Sequence, residues 1–504
     1  MKIFPTSVIK QLDAYTIEHE PITSINLMER AASVITDALL ALFPNAETPF
    51  VVFAGAGNNG GDGLAVARML SIANRQVSVF LFNPQKKLSS DCSVNLLRLK
   101  DIPSVNVTEI GENFSLPSFS ADTIIIDALF GSGLNRPLQG VWSSAVHSIN
   151  SAGCKVVAID VPSGLFGEDN SKNICENIVR ANITLTLQFP KLSFLLADNA
   201  PYVGTFMVLD IGLSRQAIEN EATNYYMLEK KRVAKLIHPR DRFAHKGCFG
   251  RALLVAGSQG MAGASLLAAR AAMRSGVGLL TVNIPNCNNY ILQTAIPEAM
   301  TLLDDSATHI SKTVDTSRYN AVAVGPGLGQ HPDTANVLFD IISNHNKPMV
   351  IDADALNILA KKPEYFSKLP QGTILTPHPA EFERLAGKCY DAHERLQKAR
   401  LFAQENKIYI ILKGAFTAIA TPDGDCFLNP TGNPGMATGG SGDVLTGILL
   451  ALLAIGYSPL DACRIGVYVH GLAGDIACEK LSEISLMAGD IVEALPQAWK
   501  QLLN

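Results

Sequence analysis

Short apolar runs recur along the chain, and between them the apolar residues return every three to four positions. In the first part of the sequence the runs end at Phe53 (VVF), Ile126 (TIII) and Ile159 (KVVAI). Later come Leu254–Ala256 (LVA), Ala321–Val324 (AVAV), Met349–Ile351 (MVI), Thr373–Leu375 (TIL) and Ile408–Leu412 (IYIIL). Unbroken runs of this length suit strands buried on both faces, the condition of a parallel sheet covered by helices. Ahead of the first strand, Leu27, Ala31, Val34, Ile35, Ala38 and Leu39 fall on one helical face, which predicts an amphipathic helix. The pattern breaks between about Leu213 and Lys246, where the residues are polar and charged with no strand pattern, and restarts at Gly250. We therefore expect two different α/β domains, residues 1–215 and 216–504, with no internal repeat.

Composition narrows the class. Charged residues are 17% of the 504 and hydrophobic ones 47%, against roughly 25% charged in an average globular protein, so the chain is no disordered tail. The net charge of -5 and the absence of a Lys/Arg block remove the basic footprint of nucleic-acid binding. Nine cysteines without a Cys-x-x-Cys pair suit a reducing compartment better than a disulfide framework or a zinc site. The N-terminal residues lack the apolar core of a signal peptide. The longest apolar stretch, Val444–Tyr457, is shorter than the ~20 residues of a membrane span and reads as a buried helix. The expectation is a soluble, cytoplasmic protein with neither a membrane nor a nucleic-acid partner.

Two glycine-rich turns carry the candidate chemistry. In VVFAGAGNNGGDGLAV, Gly55, Gly57 and Gly60 fit G-x-G-x-x-G between a strand and a helix, where free helix N–H groups can meet an anion. A dinucleotide fold would carry Asp or Glu ~20 residues on for the ribose; here the second strand ends in Asn83. Two further strands end in Asp127 and Asp160, each followed by a glycine turn. They are candidates for the crevice at the carboxyl ends of parallel strands, and the competing reading is that they cap helices or turns. Asn59, Asp127 and Ser163 offer only oxygen, which suits a hard cation.

In the second half, Gly439, Gly440, Ser441 and Gly442 precede the apolar helix and Asp443 stands at its mouth. The N–H groups there can form an anion hole. A carboxylate beside such a hole suggests a base or a metal ligand, with a plain helix cap as the alternative.

These motifs resemble a known family. GAGNNGGDG, DALFGSGLNRP and DVPSG are similar to the epimerase domain of NAD(P)H-hydrate repair proteins, over roughly Phe4 to Leu213. GSGD resembles the ribokinase-like superfamily. With HKGCFGRALLVAGSQGMAGA, AVGPGLG, VIDADALNIL, LTPHPAEFERL and LKGAFTAIA it resembles the dehydratase domain of the same family, over roughly Met227 to Asn504. The fold implied is two three-layer α/β/α domains, Rossmann-like and then ribokinase-like. The activity implied is interconversion of the R and S hydrates of NADH and NADPH (NADHX and NADPHX), then dehydration of the S hydrate at the expense of ADP.

The resemblance also implies site residues. Asn58, Asn59, Gly60, Gly61 and Asp62, with Gly131, Ser132, Gly133, Leu134, Asn135 and Arg136, would line the damaged nucleotide, with Asp160 beside its ring. Asn59, Asp127 and Ser163 would hold K⁺. In the second domain Lys413, Gly414, Ala415, Phe416, Thr417 and Gly442 would contact the nucleotide. Ala264, Gly327 and His378 would face the hydrate, with Asp443 as base and Mg²⁺ on the phosphates. His378 could instead be a turn histidine satisfied by local hydrogen bonds, and Ala264 simple helix packing. Ala380 stands where the family often has Gly. Which aspartate moves the proton in epimerisation stays open, as does ADP against ATP; homo-oligomerisation is compatible with such folds. The rival reading is a small-molecule kinase with a nucleotide-sensing N-terminal domain, and a second rival is a non-catalytic binding protein.

Overall fold

The computed structural model describes residues 1–111, 114 and 117–503. The chain divides into two compact units, Lys2–Thr223 and Asn224–Asn504 with Met1. The division falls eight residues beyond the expected 215/216 because Arg215–Asn220 forms a helix whose Ala217 is buried with Phe4, Leu12 and Leu27. The stretch expected to lack strands also holds one, Tyr225–Met227, paired with Cys426–Leu428 in the second unit. Three half-buried residues make too short a run to read from pattern.

The first unit is built on a parallel sheet. Its spatial order is Asn106–Ile110, Val77–Phe82, Phe50–Ala54, Ile124–Ala128, Lys155–Ile159, Ile183–Leu187 and Thr205–Leu209. Apart from Asp127 near one strand's end and Lys155 at another's start, the central strands are apolar because each face has its own core. Val52, Ile126 and Val157 pack with Ala32, Ile35 and Leu64 of the helices Ser24–Leu42 and Asn58–Ile72. Their neighbours Val51, Phe53 and Ile125 point to the other side, against Ala145, Val146 and Ile149 of Val141–Ser151. The order reverses between Phe50–Ala54 and Ile124–Ala128, so a crevice opens at the carboxyl ends of these two strands.

The second unit repeats the plan with a longer sheet. From Tyr225–Met227 the order runs through Cys426–Leu428, Ala418–Ala420, Tyr409–Leu412, Ile374–Leu375, Met349–Ile351, Ala321–Val324, Arg251–Val255 and Leu279–Ile284 to Met300–Leu303. Ala418–Ala420 runs antiparallel to its neighbours and the rest of the ladder is parallel. Ala252, Leu254 and Val350 face the helices Ala262–Arg274 and Ser441–Ile455; Leu253, Val255 and Ile351 face Pro332–Asn344 and Ala353–Ala360. Ser441–Ile455 is buried all round from Val444 to Ala454, as its unbroken apolar composition demands. At Gly447 it approaches Ala262–Arg274 so closely that a Cβ would lie 2.0 Å from the Ala268 carbonyl oxygen. Among the described residues no helix is long and apolar enough to cross a membrane.

Candidate active sites

The crevice of the first unit is lined by backbone packed too tightly for side chains. A Cβ on Gly55 would fall 2.0 Å from the Leu129 oxygen, and one on Gly60 would fall 1.7 Å from the Gly55 oxygen. Gly57 caps the helix Asn58–Ile72 without any side-chain hydrogen bond, which leaves its first N–H groups available. A Cβ on Gly131 would stand 2.9 Å from Asn59 Oδ1 and 3.1 Å from Asp160 Oδ2, so these two side chains converge on that glycine. Asn59 Nδ2 is buried with no hydrogen-bond partner among the described residues.

Asp160 caps none of the described helices. It has a left-handed backbone, φ 63°, unusual for a residue with a side chain. Its Oδ1 accepts from Lys191 Nζ at 2.6 Å and its Oδ2 from the Ser132 amide at 3.0 Å. Lys191, 1% exposed, also donates to Thr186 Oγ1 at 2.9 Å and to the carbonyls of Leu187 and Phe189. Burial pushes Asp160 upward, but the Lys191 ammonium and the hydrogen bonds outweigh it and hold the carboxyl below its usual range. Burial and then the charges of Asp160, Asp13 and Asp91 drive Asp62 well above that range. Asp13 is pushed up to about 6 by burial and by Asp160. One carboxyl held ionised beside another held protonated is the arrangement that separates base from acid.

Asp127 is fully buried. Its Oδ1 accepts from Ser163 Oγ at 2.6 Å and the Leu129 amide at 3.2 Å, and its Oδ2 from the Ser163 amide at 2.7 Å. Burial raises it to about 6 against these hydrogen bonds. Of the Gly131–Arg136 loop, Leu134 and Arg136 line a cavity of about 510 Å³ with Gly57, Asn83, Phe130 and Trp142. Asn58, Gly133 and Asn135 are exposed near it. Gly60 and Gly61 are buried in packing, Gly61 against Met28.

The second site gathers at the head of Ser441–Ile455. Gly440, φ 92°, occupies the cap position, and no side chain caps the helix. The cap reading of Asp443 therefore fails, since Asp443 lies in the first turn. Its carboxyl is raised to about 7, first by burial, then by Asp352, with Lys413 opposing and Asp354 and Glu381 adding. Lys413 Nζ donates instead to Asp352 Oδ1 at 3.1 Å and lies 3.8 Å from Glu381 Oε2. Asp352 Oδ2 accepts from Thr446 Oγ1 at 2.7 Å. His470, lowered to about 4 by burial, reaches the Ser441 carbonyl at 2.9 Å through Nε2.

Lys413, Gly414, Ala415, Thr417, Gly442 and His378 line one cavity of about 780 Å³, with Ser441 and Gly442 bringing the helix head to its wall; Asp443, Phe416, Ala264 and Gly327 are not among its lining residues. Ala264 packs on Gly327, where a Cβ would lie 2.9 Å from the Ala264 methyl. His378 caps the helix Pro379–Ala386: its Nδ1 accepts from the Ala380 and Glu381 amides, and Glu381 Oε2 accepts from the His378 amide. The local turn role thus accounts for its ring, while its edge faces the cavity. Lys191, Asp13, Asp352 and Glu381 were not singled out from sequence. Asp352 carried the signal used for Asp127 and Asp160, a carboxylate ending an apolar strand.

Residues 252–497 match the family model described as NAD(P)H-hydrate dehydratase, and residues 24–193 match that of the YjeF-related protein N-terminus. The chain is 35% identical to the bifunctional NAD(P)H-hydrate repair enzyme Nnr of Moorella thermoacetica, over 100% of this chain and 97% of that protein. It is 36% identical to the enzyme of the same name from Thermofilum pendens, again over 100% and 97%. Among solved structures, an ADP/ATP-dependent NAD(P)H-hydrate dehydratase from Bacillus subtilis, co-crystallised with ATP/Mg²⁺, is 36% identical. It covers 56% of this chain and 100% of its own, with a TM-score of 0.49.

Proposed function

The chain belongs to the bifunctional NAD(P)H-hydrate repair enzymes, and from that membership we propose how its two sites divide the work. The enzyme epimerises hydrated nicotinamide nucleotides and dehydrates them. The first unit interconverts the R and S hydrates of NADHX and NADPHX, and the second restores NAD(P)H from the S form. An epimerase beside a stereospecific dehydratase lets one chain consume both isomers.

In the first site Asp160, ionised beside Lys191, takes up and returns the proton as the hydroxyl-bearing carbon loses and regains its configuration. Lys191 keeps that carboxylate charged in a buried place. Asn58, Asn59 and the Gly131–Arg136 loop border the nucleotide, with Gly60 and Gly61 packed behind them. Asn59, Asp127 and Ser163 would hold K⁺. The carboxylate, hydroxyl and amide oxygens these three side chains offer fit a hard monovalent ion, whose charge when bound would favour the ionised form of Asp127.

In the second site Asp443 removes the proton from the hydrate hydroxyl. The hydrate oxygen attacks the β-phosphorus of ADP; the new O–P bond forms as the bridging P–O bond breaks and AMP departs. The ring nitrogen then pushes phosphate off the carbon, and the neighbouring carbon gives a proton to the departing phosphate, which restores the double bond. The N–H groups of Gly440 and Gly442 meet the transferring phosphoryl charge, and Lys413, Gly414, Ala415 and Thr417, which line the cavity, hold the nucleotide. Asp352, Asp354 and Glu381 act on Asp443 through their negative charge; Mg²⁺ carried on the nucleotide would neutralise the phosphates.

The observation that carries this reading is Asp443, raised to about 7 at the head of a buried helix with Lys413 committed to Asp352. A base with that affinity for protons is half ionised near neutrality, close to the best compromise for proton transfer. The test is recovery of the reduced-nicotinamide absorbance from mixed R and S NADHX with Mg²⁺, K⁺ and either ADP or ATP. Full recovery with ADP is expected. Recovery that stops at the S fraction removes the epimerase role, and a stable phosphorylated product would favour the small-molecule kinase.

A further inference from the structure

A cluster in the second unit is left unused by either reaction. His309 and His331 stack ring on ring, centroids 3.9 Å apart and planes 30° apart. Asp333 Oδ2 lies 3.5 Å from His309 Nε2 and 3.6 Å from His331 Nδ1. One ligand atom from each of the three side chains falls within 4.8 Å of the other two.

The environment of His309 makes this more than a crowded surface. Its Nδ1 sits 3.1 Å from both Ser306 Oγ and Thr308 Oγ1. Its Nε2 is buried and has no hydrogen-bond partner among the described residues. When Nδ1 carries the proton toward a hydroxyl, the Nε2 lone pair faces a carboxylate oxygen 3.5 Å away. Two electron-rich atoms in that position repel unless a proton or a metal cation stands between them. Ligand atoms of a tetrahedral zinc ion, each at ~2.0–2.1 Å, are separated by about 3.3–3.4 Å, close to the two distances found here.

We propose that His309, His331 and Asp333 form a binding site for a transition-metal dication of the zinc class. Two imidazoles and one carboxylate suit Zn²⁺, with solvent as fourth ligand, and not Mg²⁺, which takes oxygen ligands. The site is therefore chemically separate from the cation that accompanies the nucleotide. Asp304 organises the loop that presents His309, accepting from Ser306, Ser311 and Lys312 amides. His331 follows the Gly325–Gly329 turn, which Ser258 Oγ holds through the Gly327 carbonyl at 2.9 Å. A bound ion ties these two loops together. It also displaces the 3.2 Å contact from the Asp333 amide to His331 Nδ1 wherever that nitrogen is the ligand.

The metal-stripped full-length enzyme is titrated with Zn²⁺ against a chromophoric chelator, and Co²⁺ serves as a spectroscopic probe. One tight site is expected, with a Co²⁺ spectrum of nitrogen and oxygen ligands and no thiolate charge-transfer band. His309→Ala and Asp333→Asn each weaken Zn²⁺ binding at least about tenfold and abolish the rise in Tm that Zn²⁺ gives the parent. Melting both variants without metal checks that they remain folded. No zinc binding by the parent, unchanged affinity in both variants, or a thiolate-dominated cobalt spectrum would overturn the proposal.

Discussion

Asp160 and Asp443 each stand near a lysine, yet they are tuned in opposite directions. Lys191 Nζ is 2.6 Å from Asp160 and holds it below the usual carboxyl range against its own burial. Lys413 is committed to Asp352 at 3.1 Å, and Asp443, with burial and three further carboxylates against it, rises to about 7. Proximity to a lysine therefore does not set protonation; what matters is which carboxylate receives the short contact. The first site keeps a carboxylate charged in a dry pocket, and the second keeps one poised to gain a proton near neutrality.

Breaking each site separately gives the largest effects. Asp443→Asn is expected to lower the dehydratase rate by ~10²–10⁴-fold and leave interconversion of R and S hydrates unchanged. Asp160→Asn should do the reverse, abolishing epimerisation while pure S hydrate is still dehydrated. The check is paired assays, isomer exchange by chromatography and NADH absorbance from the S hydrate. Loss of both activities from either substitution would contradict the division.

Next is the lysine contact itself. Lys191→Met leaves Asp160 buried without its ammonium, and removing one partner of a buried pair costs ~3–5 kcal/mol. A lower Tm for the first unit and loss of epimerase should appear together. Lys413→Met leaves the still more buried Asp352, 1% exposed along its side chain, with Thr446 as its side-chain donor, so a loss of stability is expected there too. Because Lys413 opposes the rise of Asp443, that substitution should move the acidic limb of the dehydratase profile to higher pH.

The pH profiles sharpen the contrast without mutation. A base must be ionised, so dehydratase kcat/KM should fall about tenfold per pH unit well below 7 and level off above it. Asp160, held below the ordinary carboxyl range, contributes no limb near 7 to epimerisation. Stability follows opposite signs. The folded state binds the Asp443 proton more tightly than the unfolded state does, so this group's contribution weakens as pH rises from about 4 toward 7. The contribution of Asp160 is present above its unfolded pKa and disappears on acidification.

Much of this arrangement was legible in the sequence where one physical cause acts alone. The apolar strands Phe50–Ala54 and Ile124–Ala128 read clearly because both faces are buried. The Gly440–Asp443 turn read clearly because only close backbone approach calls for so many glycines. The edge strands Asn106–Ile110 and Thr205–Leu209 did not, since half-exposed residues such as those of NVTEI lose the unbroken apolar signal. Lys191 was hidden for another reason. Its partner lies 31 residues away, and a single lysine in FPKLSF carries no mark of being buried. His378 shows the converse: its motif looked like ligand contact, and its Nδ1 accepts from the helix it begins.

The smallest expected effects concern the threonines that support each pair. Thr446 Oγ1 donates to Asp352 Oδ2 at 2.7 Å, and among the described residues the remaining side-chain partner of that carboxylate is Lys413 on Oδ1. Thr446→Val therefore leaves one oxygen of a fully buried carboxylate without its donor, at a cost of ~1–3 kcal/mol. Thr186 accepts from Lys191 Nζ at 2.9 Å, but Asp160 and the Leu187 and Phe189 carbonyls also receive that ammonium. Thr186→Val should then cost ~0.5–1.5 kcal/mol, less than its counterpart, because three acceptors remain for three ammonium protons. Urea unfolding of the two variants beside the parent decides the order. A larger loss in Thr186→Val would mean that the hydroxyl, and not the short contact with Asp160, holds Lys191 in place.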